Sequence, residues 1–365
     1  MKRITTFTYT EFAVFALGFF IVSQSAQSLS LPPDGGYPGG NTAEGQNALL
    51  SLTSGTFNTA AGFFSLRNVT TGNLNTATGA GALSANKADQ NTATGAGALL
   101  SNTAGTNNTA DGTFALTSNT VGQGNTAIGT AALFDNTIGS QNTAVGNSAL
   151  GQNTNANGNT ADGFLALFNN STGNENTAIG DLAGFNQTSG NNNVYIGSSI
   201  TGVSGENNAC YIASIFGQTS ANGVPVLVNS DNKLGTTTSS RRFKENIKPI
   251  DKTSEALFSL KPVSFRYKKE IDPAGTSQLG LVAEDVEKVN RDLVVRDNEG
   301  KAYSVRYDQV NAMLLNEFLK EHLKVEQMQK QIEALTAGLQ RVKAQLALSK
   351  AAPQMVRNNH EAVER

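Results

Sequence analysis

From residue 41 to about 200 the apolar positions are sparse, yet they return in a fixed register. Asn-Thr-Ala begins at Asn41, Asn58, Asn75, Asn91, Asn108, Asn125, Asn142, Asn159 and Asn176, and Asn193 opens a variant, Asn-Val-Tyr. The step is 17 residues everywhere except for one of 16 between Asn75 and Asn91. A glycine stands four places after each asparagine, from Gly45 to Gly197. In many copies a small residue and a leucine follow, as in Ala82-Leu83, Ala115-Leu116 and Ala132-Leu133. Asn, Thr and Gly are poor helix formers, and a period near seventeen suits one coil of a β-solenoid, with short strands joined by Asn- and Gly-bearing turns. Stacking such coils in register predicts an Asn ladder and an interior column of Ala and Leu. Ten coils spaced about 4.8 Å apart would make a rod roughly 45 Å long.

So small an interior buries little apolar surface per residue, which predicts a homo-oligomer, most simply a trimer. Asp111 and Asp162 recur at one slot of the repeat, but Ile128, Val145 and Ile179 fill that slot in other copies. A solvated or interfacial position accounts for this better than a catalytic one.

Past Asn193 the pattern shifts to short apolar runs, Val194-Tyr195-Ile196, Cys210-Tyr211-Ile212 and Val224 to Val228, punctuated by glycine and closed by the polar turn Asn229 to Gly235. These runs predict a β-rich neck over 201–238, with Cys210 as a small buried strand residue. From about Gln309 the period becomes helical. Val325, Met328, Ile332, Leu335, Leu339, Val342 and Leu346 alternate three and four apart, the seam of a coiled coil, which predicts one over 311–350. After Pro353 the chain reads as a flexible tail, 351–365.

Composition changes this picture in three places. The chain has 365 residues, a formal net charge of −2, one cysteine and no tryptophan. The near-neutral balance argues against nucleic acid as a partner, and a lone thiol cannot form an internal disulfide. His322 and His360 are far from any cysteine cluster, so neither a metal nor another cofactor is expected. The N-terminus, Met1-Lys2-Arg3, then a mostly apolar Phe12 to Val22, then small polar residues, has the order of a secretory signal peptide over 1–28, cleaved after Ser28 or Ser25. That predicts export to the medium or the cell surface, with an uncleaved anchor as the alternative.

Most of the charge lies after residue 240, and the boundary carries Ser239-Ser240-Arg241-Arg242-Phe243-Lys244-Glu245-Asn246-Ile247. A serine can attack a peptide carbonyl if a base takes its proton, and a neutral lysine amine can be that base when burial and nearby positive charge disfavour its ammonium form. Arg241 and Arg242 supply such charge. Five residues of separation alone do not bring Ser239 and Lys244 together; a bend or a subunit interface must.

This stretch, with Leu257 to Tyr267, Leu279 to Val286 and Tyr303-Ser304-Val305-Arg306-Tyr307, resembles the intramolecular chaperone of phage endosialidase tailspikes, a self-cleaving serine-peptidase family. The resemblance implies an α+β domain over 239–310 that trimerises, guides folding of the fibre ahead of it and then cuts itself off. It implies Ser239 as nucleophile and Lys244 as base; the bond cut would be Thr238–Ser239 if the serine attacks its preceding carbonyl, or else the bond just after. Because Ser240 stands where the family often has Asp, Ser240 is the second choice of nucleophile. The repeats themselves resemble the head repeats of trimeric autotransporter adhesins, which stack as a left-handed parallel β-roll. Together these features lead to a mainly β protein: an exported homotrimeric fibre with a self-cleaving chaperone, the alternative being an adhesin whose C-terminal domain only trimerises. Its ligand would be a surface glycan or another cell-surface molecule. The repeats hold no paired carboxylates of the kind that glycan hydrolysis needs.

Overall fold

The computed structural model describes residues 36–361, with side chains from Tyr37 to Ser349. The signal peptide expected over 1–28 lies outside the described residues, as do residues 362–365 of the expected tail. The chain divides into two compact units between Thr219 and Ser220.

The first unit is a β-solenoid built on one twelve-stranded sheet whose strands follow chain order. A short antiparallel β1 (Gly36–Tyr37) is followed by β2 (Asn41–Glu44), β3 (Thr59–Ala61), β4 (Thr76–Thr78), β5 (Thr92–Thr94) and β6 (Thr109–Asp111). The stack continues through β7 (Thr126–Ile128), β8 (Thr143–Val145), β9 (Thr160–Asp162), β10 (Thr177–Ile179), β11 (Val194–Ile196) and β12 (Cys210–Ile212). From β2 onward every pairing is parallel and in register, and as far as β10 it sets Thr on Thr and Ala on Ala, as in Thr109↔Thr126 and Ala110↔Ala127. The 16-residue step causes no slip, because Thr76 still pairs with Thr92.

Strand alternation decides which residues face inward. In the Thr-Ala-x strands from β3 to β10 the alanine is fully buried, while threonine and the third residue look outward; Ala43 of β2 is only partly buried. Asp111 is exposed on that outer face, in line with Thr94 and Ile128. The predicted Ala-Leu column is present: Ala82, Leu83, Ala98, Leu99, Ala115, Leu116, Ala132 and Leu133 are all 0% exposed. These leucines sit in left-handed backbone, with Leu83 at φ +51° and Leu116 at φ +52°. That conformation costs a non-glycine residue about 1–2 kcal/mol, which burial of a whole leucine side chain, about 2 kcal/mol or more, offsets.

The predicted Asn ladder is continuous. Each amide oxygen from Asn41 to Asn176 accepts the backbone N–H of the next asparagine up the column, at 2.8–3.0 Å. The amide nitrogen also reaches across its own coil, as Asn108 Nδ2 does to the Gly122 carbonyl, 2.9 Å. A second column, which the repeat pattern did not reveal, runs through Asn86, Asn102, Asn119, Asn136 and Asn153, with Nδ2 to Oδ1 distances of 2.7–2.8 Å. The glycine four places after each asparagine is required by both backbone and space. Gly112 has φ +145°, and a Cβ there would lie 2.4 Å from the carbonyl oxygen of Gly129. The core therefore closes within one chain, so the small interior does not by itself demand a second copy.

Two sequence expectations are corrected here. The Cys210-Tyr211-Ile212 run belongs to the stack and not to the neck, because β12 pairs with β11 in register. Cys210 is exposed and not buried, because it aligns with Val194 at the outward position of the strand. Tyr211 aligns instead with the buried Tyr195, and the two rings stack.

The second unit begins with a hairpin of β13 (Val226–Val228) and β14 (Leu234–Thr236), turned at Asn229, whose Oδ1 accepts the N–H groups of Asp231 and Lys233. Both faces of this hairpin are exposed. A 3-10 helix, Asp251–Ser259, leads to a hairpin of β15 (Val263–Phe265) and β16 (Gln278–Gly280), then to α1 (Ala283–Val289) and a third hairpin of β17 (Val294–Arg296) and β18 (Ala302–Val305). The long helix α2 (Tyr307–Glu361) follows, continuing past Pro353. Val286, Leu293, Val294, Val305 and Met313 form the small core, with Ile250, Leu257 and Leu281 at its edge.

Candidate functional site

Residues 214–249 are exposed throughout, and the serine–lysine pair lies near the end of that stretch. Ser240 is extended, at φ −66° and ψ 136°. A single 3-10 turn follows over Arg241–Phe243, and Lys244 is extended again. The Phe243 N–H donates to the Ser240 carbonyl at 3.0 Å, and the Lys244 N–H donates to the Arg241 carbonyl at 3.1 Å. The turn supplies the bend that spacing alone left unexplained. An extended chain would carry residue 244 roughly 16 Å from residue 239, whereas a 3-10 turn rises only about 2 Å per residue.

As a result Lys244 Nζ donates to Ser239 Oγ at 3.0 Å. That is within the reach a base needs to take a proton from a nucleophile. Ser240 has no such neighbour: its side chain makes no cap hydrogen bond, and its N–H points to Thr238 Oγ1 at 3.5 Å. Of the two candidate serines, Ser239 is the one that Lys244 approaches. Arg242 is engaged locally, its guanidinium 4.7 Å from the centroid of the Phe243 ring.

Sequence reasoning singled out neither Ser254 nor Glu317, which are buried together inside the second unit. Ser254 Oγ donates to Glu317 Oε1, and Asn316 Nδ2 donates to Ser254 Oγ at 2.7 Å. Lys320 Nζ donates to Glu317 Oε1 at 2.6 Å and to the Asp251 carbonyl at 2.8 Å. The Lys320 ammonium, and after it the Ser254 hydroxyl, hold the Glu317 carboxyl below the usual range. The available signal was the run Asn316, Glu317, Lys320, which puts three polar residues on the same helix face as Met313, where an apolar stripe would otherwise continue.

Residues 239–295 match the family model described as chaperone of endosialidase, a peptidase family. The match begins at the serine that Lys244 approaches. No curated protein and no solved structure matches the chain. The matched segment covers the serine–lysine turn, the 3-10 helix Asp251–Ser259, the β15–β16 hairpin, α1 and the start of β17.

Proposed function

We propose that the chain is an exported homotrimeric fibre whose C-terminal unit brings three copies together, guides their folding and then cuts each chain once between Thr238 and Ser239. The observation that carries this reading is the 3.0 Å approach of Lys244 Nζ to Ser239 Oγ within a segment that matches the chaperone family. Lys244 is exposed in a single chain, so the burial that favours its neutral amine has to come from another copy; that amine then takes the hydroxyl proton while Ser239 Oγ bonds to the Thr238 carbonyl carbon. The C–N bond breaks, the α-amino group of Ser239 receives the proton, and water hydrolyses the resulting ester. The products end at Thr238 and begin at Ser239.

The trimer reading rests on bare apolar surface. Val325, Ile332, Leu339 and Leu346 are 55–56% exposed along the α2 seam, a face that a single chain leaves uncovered. The β13–β14 hairpin exposes Val226, Leu227 and Val228 on both faces, and a two-stranded hairpin alone is marginal in water. Copies of the same chain would cover both. Three chains held by α2 raise each other's local concentration, which offsets the entropy of starting a non-local β assembly. A surface glycan or other cell-surface ligand would then be met by the solenoid.

The test is intact mass and denaturing-gel analysis of the full chain as wild type, Ser239→Ala and Lys244→Ala, with light scattering for assembly state. A fragment beginning at Ser239 in wild type alone supports the cleavage. Uncut trimers in all three would leave a trimerising fibre without autoproteolysis, and uncut monomers would overturn both parts. Export is checked by fractionating cells that express the full chain.

A further inference from the structure

The serine–lysine turn has no buried neighbour of its own. Every residue from 214 to 249 is exposed, Ile250 is the first to reach the edge of the core, and Ser254 is the first to be fully buried. What fixes the turn relative to the second unit therefore lies just downstream of it, at Ile250 and in the 3-10 helix Asp251–Ser259. That helix is held against α2 by polar contacts that span 62 to 69 residues of sequence: Asn316 and Lys320 to Ser254, and Lys320 to the Asp251 carbonyl.

These contacts differ in kind from the rest of the second unit. Among the described residues of that unit, Ser254 and Glu317 are the buried polar side chains in a small core otherwise made of Val, Leu and Met. Burying a carboxylate and a hydroxyl is costly unless each finds partners, and here both do. Glu317 accepts from both Ser254 and Lys320, while Ser254 meets Glu317, Asn316 and Lys320. Such a set tolerates one arrangement of its members, whereas an apolar contact in the same place would permit sliding. It is thus suited to hold a register between the helix that carries the seam and the segment that leads back to Lys244, seven residues before Asp251.

We propose that Ser254 and Glu317 are positioning residues for the cut, a clasp through which α2 sets the placement of the Ser239–Lys244 turn. This rests on the reading of Ser239 and Lys244 as nucleophile and base. A reacting pair displaced by about 1 Å loses on the order of a hundredfold in rate, so a loosened clasp should slow the cut without altering either reacting group.

The experiment follows the cut over time by intact mass in the full chain, with light scattering and unfolding temperature measured on the same samples. Glu317→Ala and Ser254→Ala should remain trimeric and release the fragment beginning at Ser239 ten- to a hundredfold more slowly than wild type. Glu317→Gln keeps an acceptor for the Ser254 hydroxyl and should recover most of the rate, a rescue that a general loss of stability would not produce. Wild-type rates in Ser254→Ala and Glu317→Ala would overturn the proposal, as would equal slowing in Glu317→Gln and Glu317→Ala. Ser254→Ala removes a single oxygen. If it fails to trimerise, the clasp is a folding element and the proposal falls. An uncut wild type would instead fail at Ser239 and Lys244, before the clasp is reached.

Discussion

Replacing Asn125 with alanine tests whether the buried asparagine column holds the solenoid together. Its Nδ2 donates to Asn108 Oδ1 at 3.1 Å and to the Gly139 carbonyl at 2.9 Å, and its Oδ1 accepts from the Asn142 backbone N–H at 3.0 Å. Most of these partners have a second contact. Gly139 keeps Asn136 Nδ2, Asn108 Oδ1 keeps the backbone N–H of residue 125, and Asn142 Nδ2 keeps the Ala156 carbonyl. The Asn142 N–H loses the partner it has, and it lies beside a side chain that is 0% exposed. A buried donor left unpaired costs about 1–3 kcal/mol, and the void left by the amide adds about 1 kcal/mol, giving roughly 2–4 kcal/mol in all. Stacked repeats open locally, so the readout is native-state hydrogen exchange of the full chain at the β7 and β8 amides. Exchange there should speed up by about 30- to 1,000-fold, while coils near Asn41 change little. Asn147→Ala, at an exposed position one coil away, is the control and should stay within about 0.5 kcal/mol. Equal effects at Asn125 and Asn147 would refute the account of the column.

Other outcomes follow from the same geometry. Gly112→Ala should break the stack between β6 and β7, visible as proteolytic nicking there, since its Cβ would overlap the Gly129 carbonyl at a left-handed φ. Tyr195 has a buried hydroxyl without a hydrogen-bond partner, and burial, then Glu206 and Tyr211, push its phenol up to about 12. The folded state keeps this proton longer than the unfolded one, so the contribution to stability is lost as pH rises from 10.0 towards 12. Tyr195→Phe should remove that late step from a near-ultraviolet titration and be neutral or stabilising by up to about 1 kcal/mol. Tyr211→Phe should instead cost about 1 kcal/mol or more, because its hydroxyl donates to Glu206 at 2.7 Å. For Glu317 the carboxyl is held low, so its contribution is present above the unfolded value near 4.5 and lost as pH falls through the folded value. Acid unfolding of Glu317→Gln should lack that component. Ile332→Asp should abolish assembly in light scattering, because a charge in the α2 seam prevents its burial.

What could be read from the sequence depended on repetition. Asn, Gly and Leu recur at a near-constant step, so one correct assignment of a coil fixed the first Asn column and the leucine interior of all the others. The second Asn column was missed because Leu52 and Val69 occupy its slot in the first coils, which hides the period where reading begins. Cys210 was misplaced for a related reason. Its run is apolar at all three positions, so alternation could not tell inside from outside, and the register with Val194 decided it. In the second unit nothing repeats. Ser239 and Lys244 were legible as residue types at a composition break, but the 3-10 turn that joins them was not. The contact between Ser254 and Glu317 spans 63 residues, beyond the reach of any local pattern.

The two units meet the demands of folding in opposite ways, and this bears on why a chaperone would sit where it does. Each solenoid coil leaves its backbone groups and its asparagines unpaired until a neighbour stacks on it, so the cost lies in the first few coils and each later one is favourable. The finished stack buries its Ala and Leu columns within one chain and has no further need of a template. The second unit is the reverse. Its core is small, while the α2 seam and the β13–β14 hairpin lie bare in a single chain, so under the proposed reading it gains most from meeting other copies. A segment that needs partners to be stable, joined to one that needs only a start, can be discarded once the start has been made. The exposed stretch 214–249 is where such a separation costs the fibre least, because no residue in it contributes to either core.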